Sequence, residues 1–452
     1  MVAGVRRELP AMVKLALPVV AAELGWVAMS LVDTIMVGRV SSVALGAVSI
    51  GGTLFYTLAT FAAGLMLGLD TLVAQAYGAG DVRDCHRSLM NAVYLYLPLA
   101  PVIMLAVWWV GPGLAAFGVN REVARQANEY LRAVAWGSLP LLLYFAFRRY
   151  LQAMNLVKPV MFALISANLV HLLANWIFIY GNWGAPALGA MGAGWATCYS
   201  RVYMAGCLIA YTAWHERKYR TGWMDVSLRP DWGRMRSLLR LGLPAGFQIS
   251  LEVGVFAAAT ALVGRLAPVT LAAHQIVLNC ATITYMVPLA IGSAAAVRVG
   301  QAVGRGDKES ARFAGWTAIL LGAAFMSLMG LLFLVVPRGI LRVFTEDAGV
   351  IEQGVALLFV AAVFQLFDGV QTVSTGALRG LGDTDTPMIC NLVGYWLVGL
   401  PVGYWLCFTR GVGAVGLWVG LCFALILIGA ALLTVWTQKS ALRPVLASTG
   451  GR

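Results

Sequence analysis

Charge is what this chain has least of. Asp, Glu, Lys and Arg make up 12% of its 452 residues, about half the share usual in soluble domains. With 60% apolar residues and a mean hydropathy of +0.80, too little polar surface remains to cover a soluble core, and that class is excluded. Paired cysteines are missing as well. Cys85, Cys198, Cys207, Cys280, Cys390, Cys407 and Cys422 stand singly, without CxxC or metal-ligand spacing, so neither a disulfide framework nor a zinc site is expected. No GxxxxGK[ST] stretch occurs, which argues against ATP drive by this chain. No nucleophile–base pair or catalytic cluster suggests an enzyme, and nothing asks for a cofactor.

What is present is run after run of 18 or more residues with at most one or two charges, the pattern of membrane-crossing helices. Twelve spans are expected, at about 13–37, 45–74, 88–110, 129–150, 159–180, 187–213, 238–263, 270–299, 311–336, 354–376, 386–408 and 412–437, with the weakest separations at 180–188 and 409–412. Arg6, Arg7 and Lys14 precede the first of them. That span contains Glu23 and Asp33 and has no small-x-small cleavage site, so it reads as a retained helix rather than a signal peptide. If the N-terminus is cytoplasmic, the inward segments hold 23 of the 32 basic residues, including Arg443 and Arg452 in a short tail. The bias places both ends inside. This dispersal also accounts for the net charge of +12; nucleic-acid binding would gather basic residues on one folded face. The longest loop, 214–237, carries Trp223 and Trp232 among basic residues and suits an amphipathic linker at the lipid headgroups.

Sliding the chain against itself by 226 positions reveals an internal repeat. Gln75, Gly78, Gly80 and Asp81 meet Gln301, Gly304, Gly306 and Asp307, and Leu15–Pro18 meets Leu241–Pro244. The chain therefore divides into a six-helix lobe at 1–213, a linker at 214–237 and a second six-helix lobe at 238–452. Six is an even number, so both halves enter from the same side and their symmetry axis runs along the membrane normal. Two such bundles facing a central cleft are a transporter architecture.

Carboxylates inside a bilayer are costly, about 2.5–3.5 kcal/mol for Asp even on insertion scales, and persist where they face a wet cavity. Asp33, Glu252 and Asp368 are the candidates for a proton or cation site. Asp368 lies among Gln365, Gln371, Thr372, Ser374 and Thr375, a polar face that must look at a cavity or at other helices. Thr34 stands beside Asp33, and Asn168, His171 and Asn175 form a polar stripe expected in the same cavity. Glu23 points about 80° away from Asp33 around the helix, and Asp70 is expected to reach solvent or a loop arginine. A cationic substrate would compete with the ion for the same carboxylates, which gives antiport a simple mechanism through reciprocal linkage. Phe364, Phe367, Tyr285 and Met286 are candidate pocket-lining residues for flat cations.

The stretches LVDTIMVGR around Asp33, QAYGAGD, LAAHQIVLN with VPLAIGSAAAVRVGQAVGRGD, FQLFDGVQTVSTGALRGLGDT around Asp368, and YWLVGLPVGY resemble the MATE (multidrug and toxic compound extrusion) transporters of the NorM-like bacterial branch, over essentially the whole chain. The resemblance implies an all-α fold of twelve helices in two six-helix lobes arranged as a V. It also implies a bacterial inner-membrane protein working as a monomer, exporting cationic amphipathic drugs and dyes in exchange for Na⁺ or H⁺. Asp33 matches the family's first-helix aspartate, with Asn175 as its polar partner and Thr197 like a threonine sometimes found nearby. Glu252 and Asp368 match the second lobe's cation site, where they are candidate Na⁺ ligands. Two departures stand out: His171 replaces a frequent asparagine, and Phe364 replaces a tyrosine found in some relatives. The alternative within the same superfamily is a lipid-linked glycan flippase. It would need basic residues in the cavity, and Arg201 is the only mid-helix basic residue. Position for position, Asp33 falls opposite Ala259 and Glu252 opposite Trp26, so the repeat preserves the scaffold and gives each lobe its own acidic site.

Overall fold

In the computed structural model, residues 2–223, 226 and 229–441 are described. The expected cytoplasmic tail with Arg443 and Arg452, and positions 224, 225, 227 and 228 of the linker, lie outside the described residues. All regular structure among the described residues is helical. The twelve expected spans correspond to twelve helical segments. These are α1 (Val2–Gly38), α2 (Ser42–Leu65 continuing as Gly68–Gly78), α3 (Val82–Tyr96 with Leu99–Val110), α4 (Arg121–Ala135 with Ser138–Ala153), α5 (Val157–Tyr180) and α6 (Ala190–Tyr219) in the first half. The second half contains α7 (Trp232–Val263), α8 (Pro268–Gly304), α9 (Lys308–Val335), α10 (Ala348–Gly380), α11 (Asp385–Thr409) and α12 (Ala414–Ala441).

Ten of these are individually long and apolar enough to cross a membrane, and the two parts of α4, bent by 50° at their break, make an eleventh. α6 has the length but not the apolarity, because Arg201, Ser200, Thr197 and four tyrosines interrupt its 30 residues. Two of these polar side chains are turned inward: Ser200 is 1% and Arg201 7% exposed.

Helix ends follow local chemistry. The repeated QxxGxGD element closes one helix and opens the next. Gly80 and Gly306 take left-handed φ values of 80° and 72°, which only glycine adopts at little cost. Asp81 and Asp307 then cap the following helices by accepting from the backbone N–H of Asp84 and Ser310, each at 2.9 Å. The Ser310 hydroxyl and N–H, with Arg305 close by, hold the Asp307 carboxyl below its ordinary range. In α11, Leu392–Gly399 and Trp405–Thr409 are π-helical.

Two compact units emerge, one comprising Met1–Val20, Gly78–Gly80 and Phe247–Arg452, the other Ala21–Tyr77 and Asp81–Gly246. α1 thus contributes to both, as does α7. In the first unit α10 is the central helix, packed on α8, α9 and α12; in the other, α4 packs on α2 and α6. These are corresponding positions of the repeat. Small residues permit the close approaches, as expected where lipid supplies no hydrophobic driving force between helices. A Cβ placed on Gly376 of α10 would sit 2.1 Å from the carbonyl oxygen of Gly292 on α8.

Candidate cation-binding sites

The buried carboxylates fall into two classes. Structural ones hold a resident cation. Glu23 pairs with Arg148, whose side chain is 2% exposed. Asp70, fully buried, lies 3.3 Å from Arg149, so the expectation that it reaches solvent is corrected and only the arginine part holds. The half-buried Asp84 and Glu8 are held in the same way, Asp84 by Arg234 and Glu8 by Arg298 at 2.6 Å. Desolvated charges persist when neutralised in this way.

Glu252 and Asp368 belong to the second class. They are 8% and 5% exposed, each within reach of the other's charge, and neither is ion-paired among the described residues. Glu252 has only loose contacts: Gln248 Nε2 donates to Oε2 at 3.4 Å and the Tyr285 hydroxyl to Oε1 at 3.5 Å, near the limit for a hydrogen bond. Gln371 faces the same carboxylate while donating to Asn391 Oδ1 at 3.3 Å, and Thr372 donates to Gln371 Oε1 at 3.2 Å. Gln365 is turned to Thr284 on α8 and leaves its own Oε1 without a partner. Phe364 is not open to a cavity. It is 2% exposed and packs edge-on against Phe256 and Trp418, with centroids at 6.0 and 5.6 Å.

Trp418 continues that wall into a fixed imidazole. Its Nε1–H donates to His274 Nδ1 at 3.0 Å, and His274 Nε2 stands 2.9 Å from the Thr260 hydroxyl. Indole is a donor only, so Nδ1 must accept and the neutral ring carries its proton on Nε2.

In the other unit, Asp33 near the end of α1 meets α5. Asn175 Nδ2 donates to its Oδ1 at 2.6 Å, and His171 Nε2 lies 2.8 Å from the same oxygen. His171 Nδ1 is 3.0 Å from the hydroxyl of Ser200 on α6, which itself donates to the Ala196 carbonyl at 2.9 Å. His171 and Asn175 are fully buried, and the Asp33 side chain is 16% exposed. Three expected neighbours stand apart. Asn168 donates to Leu164 O at 2.9 Å on its own helix and faces Gly25, and the Thr34 hydroxyl is spent on Ser30 O. Thr197 donates to Ala193 O at 2.9 Å and reaches the Tyr130 hydroxyl rather than Asp33. Ser200 was not singled out from the sequence, although it stands one turn from Thr197 on the same face. Arg201 is engaged, not displayed: its guanidinium sits 4.3 Å over the Phe55 ring and Nη1 donates to Val134 O at 3.4 Å, at the break in α4.

The MatE family model matches residues 18–177 and 244–405, one stretch in each half. The chain is 37% identical over 449 residues to a probable multidrug resistance protein NorM of Mesorhizobium japonicum, covering 98% of this chain and 96% of the relative. It is 32% identical over 445 residues to the multidrug resistance protein NorM of Aliivibrio fischeri, covering 97% and 96%. Among solved structures, the eukaryotic MATE transporter AtDTX14 superposes with a TM-score of 0.87 at 21% identity over 97% of this chain and 98% of that one, a likeness of fold. With matching halves, full-length relatives and a common fold, the chain belongs to the MATE family of membrane transporters.

Proposed function

We propose that this protein is a secondary antiporter that exports cationic amphipathic compounds from the cytoplasm in exchange for Na⁺ or H⁺ by alternating access, acting as a monomer in the inner membrane with both termini cytoplasmic. The carrying observation is the division of its buried acids. Where one of these carboxylates is structural, an arginine neutralises it; among the described residues Glu252 and Asp368 have no such partner, and two such carboxylates in one buried site favour a cation that comes and goes. Glu252 and Asp368 are the groups that would ligate Na⁺, with Tyr285 and Gln371 oxygens beside them. The relatives named as multidrug resistance proteins support the substrate class. A flippase for anionic lipid-linked glycans fits less well, because Arg201 is stacked on Phe55 and bound to Val134.

The test is ethidium efflux from cells and from proteoliposomes. Export of dye under an imposed Na⁺ or H⁺ gradient is expected, with at least a tenfold loss in Asp368→Asn. Unchanged efflux in that variant would remove Asp368 from the mechanism.

A further inference from the structure

We infer that the coupling cation released from Glu252 and Asp368 leaves for the cytoplasm inside this same unit, along a polar stripe of α10 that runs through Gln371, Thr372 and Thr375 to Arg379. This rests on the antiport reading above, with its cytoplasmic chain ends, and adds to it the route of the ion.

In that orientation α10 runs toward the cytoplasm from Ala348 to Gly380. Thr372, Thr375 and Arg379 project within about 40° of the Asp368 direction and Gln371 about 60° to one side, and Thr375 lies about 10 Å nearer the cytoplasm than Asp368. Other directions are taken by packing: Gly369 and Val373 meet α9 at Gly322, Gly376 and Gly380 meet α8, and Val370 meets α12 at Gly429. The stripe is enclosed as well as polar. Gln371 is fully buried, Thr375 is 6% and Arg379 8% exposed.

What sets the stripe apart is that its polar groups are not spent on the helix that carries them. A threonine inside a helix can return its hydroxyl to the carbonyl one turn back. Thr60, Thr197, Thr212 and Thr282 do so, at 2.7, 2.9, 2.7 and 2.8 Å. Thr372 donates instead to Gln371 Oε1 at 3.2 Å, and the buried Thr375 hydroxyl makes no hydrogen bond among the described residues. Opposite Gln371 on α11, Asn391 accepts with Oδ1 at 3.3 Å and leaves Nδ2 without a partner. The Tyr395 hydroxyl, four residues on and close to both carboxylates, is unpartnered too. Buried polar groups are satisfied by protein or by water. Orphaned ones strung from a cation site toward one end of a helix favour a mobile occupant, water and a cation that exchanges one oxygen for the next. The oxygens beyond Asp368 are neutral, so they hold a cation more weakly than the two carboxylates, and Arg379 at the end is a positive charge beside which a cation does not rest. Such a set passes an ion on and does not store it.

The test separates rate from affinity, with the full chain in proteoliposomes. Thr375→Val keeps the volume of the side chain and removes its hydroxyl. Gradient-driven ethidium efflux should slow by about tenfold or more. The affinity for ethidium, and the Na⁺ or H⁺ concentration that halves ethidium binding, should stay at the parent's values because the carboxylates are untouched. Thr375→Ser, which restores the hydroxyl, should recover the rate. Parent-like efflux in Thr375→Val would overturn the inference. So would a loss of ion affinity as large as the loss of rate, or Thr375→Ser as slow as Thr375→Val. If Thr375→Val fails to fold, Thr375→Cys gives a second reading. Ag⁺ added on the cytoplasmic side should capture the introduced thiol, read by mass spectrometry after unfolding, and should spare that of Val373→Cys, which faces α9. Capture at position 375 no greater than at position 373 would overturn the inference. A failure confined to these variants leaves antiport standing, whereas no ethidium efflux by the parent under either gradient would bring down the antiport reading itself.

Discussion

Replacing Arg148 by Met removes a guanidinium from one of the most enclosed places in the molecule. The Arg148 side chain is 2% exposed and its partner Glu23 11%, so water cannot take over the lost contact. The Tyr144 hydroxyl, which also faces Arg148, loses a neighbour at the same time. An uncompensated buried carboxylate costs about 3–5 kcal/mol, whereas exchanging both partners for neutral groups of similar shape is close to neutral. Arg148→Met is therefore expected to destabilise its unit by about 3 kcal/mol or more, and Glu23→Gln/Arg148→Met to recover most of that loss. The coupling in the double-mutant cycle should be at least about 2 kcal/mol. For a cooperative unit of about 200 residues the single variant should lose on the order of 10 °C in apparent Tm. Thermal unfolding of detergent-solubilised protein, followed by tryptophan fluorescence or by the fraction surviving size exclusion, measures all four corners of the cycle. A single variant as stable as the parent, or a double variant no better than the single, would refute the idea that this pair is a structural lock.

Two further outcomes follow from the packing and the linker. Gly376→Val should abolish folded, membrane-inserted protein, since even a Cβ there meets the Gly292 carbonyl oxygen at 2.1 Å. Gly206→Ala, with nothing within 4 Å, should be neutral or gain up to about 1 kcal/mol; blotting and size-exclusion profiles of the two separate the cases. Glu216, at the end of α6 past its apolar part, accepts from the backbone N–H of Thr221, Gly222 and Trp223 at 3.0, 3.0 and 2.9 Å and from the Thr221 hydroxyl. Burial pushes its carboxyl up, but those hydrogen bonds outweigh it and hold the group below its ordinary range. A depressed carboxyl contributes stability above its unfolded value and loses it as pH falls through the folded one. Limited proteolysis after Thr221 should therefore be slow at neutral pH and accelerate only below about pH 4.5, whereas Glu216→Gln should be cut readily at pH 7. Equal cleavage of both proteins would refute this.

The spans were legible because a membrane helix announces itself by its own composition, and the QxxGxGD turns because a left-handed glycine and a capping aspartate are local requirements. Partners across helices were not legible. Arg148 stands 125 positions from Glu23, and which face each helix turns to its neighbour is decided by where glycines let backbones close, as at Gly292 and Gly376. For the same reason Asp70, expected to reach solvent or a loop arginine, is fully buried against Arg149 of α4, and Asn168 shares a stripe with His171 and Asn175 yet bonds its own helix. α6 hid in the opposite way. Its inward polar residues, including the Ser200 that completes the Asp33 cluster, lower its apolarity below that of its neighbours while making it chemically the most informative helix of its unit.

The two π-helical stretches of α11 give that helix an adjustable register. A π turn closes its hydrogen bond one residue later than an α turn, so each stretch stores a surplus residue without lengthening the path across the bilayer. Tyr395 sits inside the first stretch, fully buried, with its ring 6.1 Å from that of Phe256 and close enough to Glu252 and Asp368 to feel their charge. Deleting one residue between Leu392 and Gly399 would tighten the turn to α geometry with the flanking segments left in register, so that only side chains within the stretch, Tyr395 among them, are re-aimed relative to the carboxylates. This is where a single-residue insertion or deletion would re-aim the wall of the Glu252–Asp368 site while leaving the rest of the fold in place.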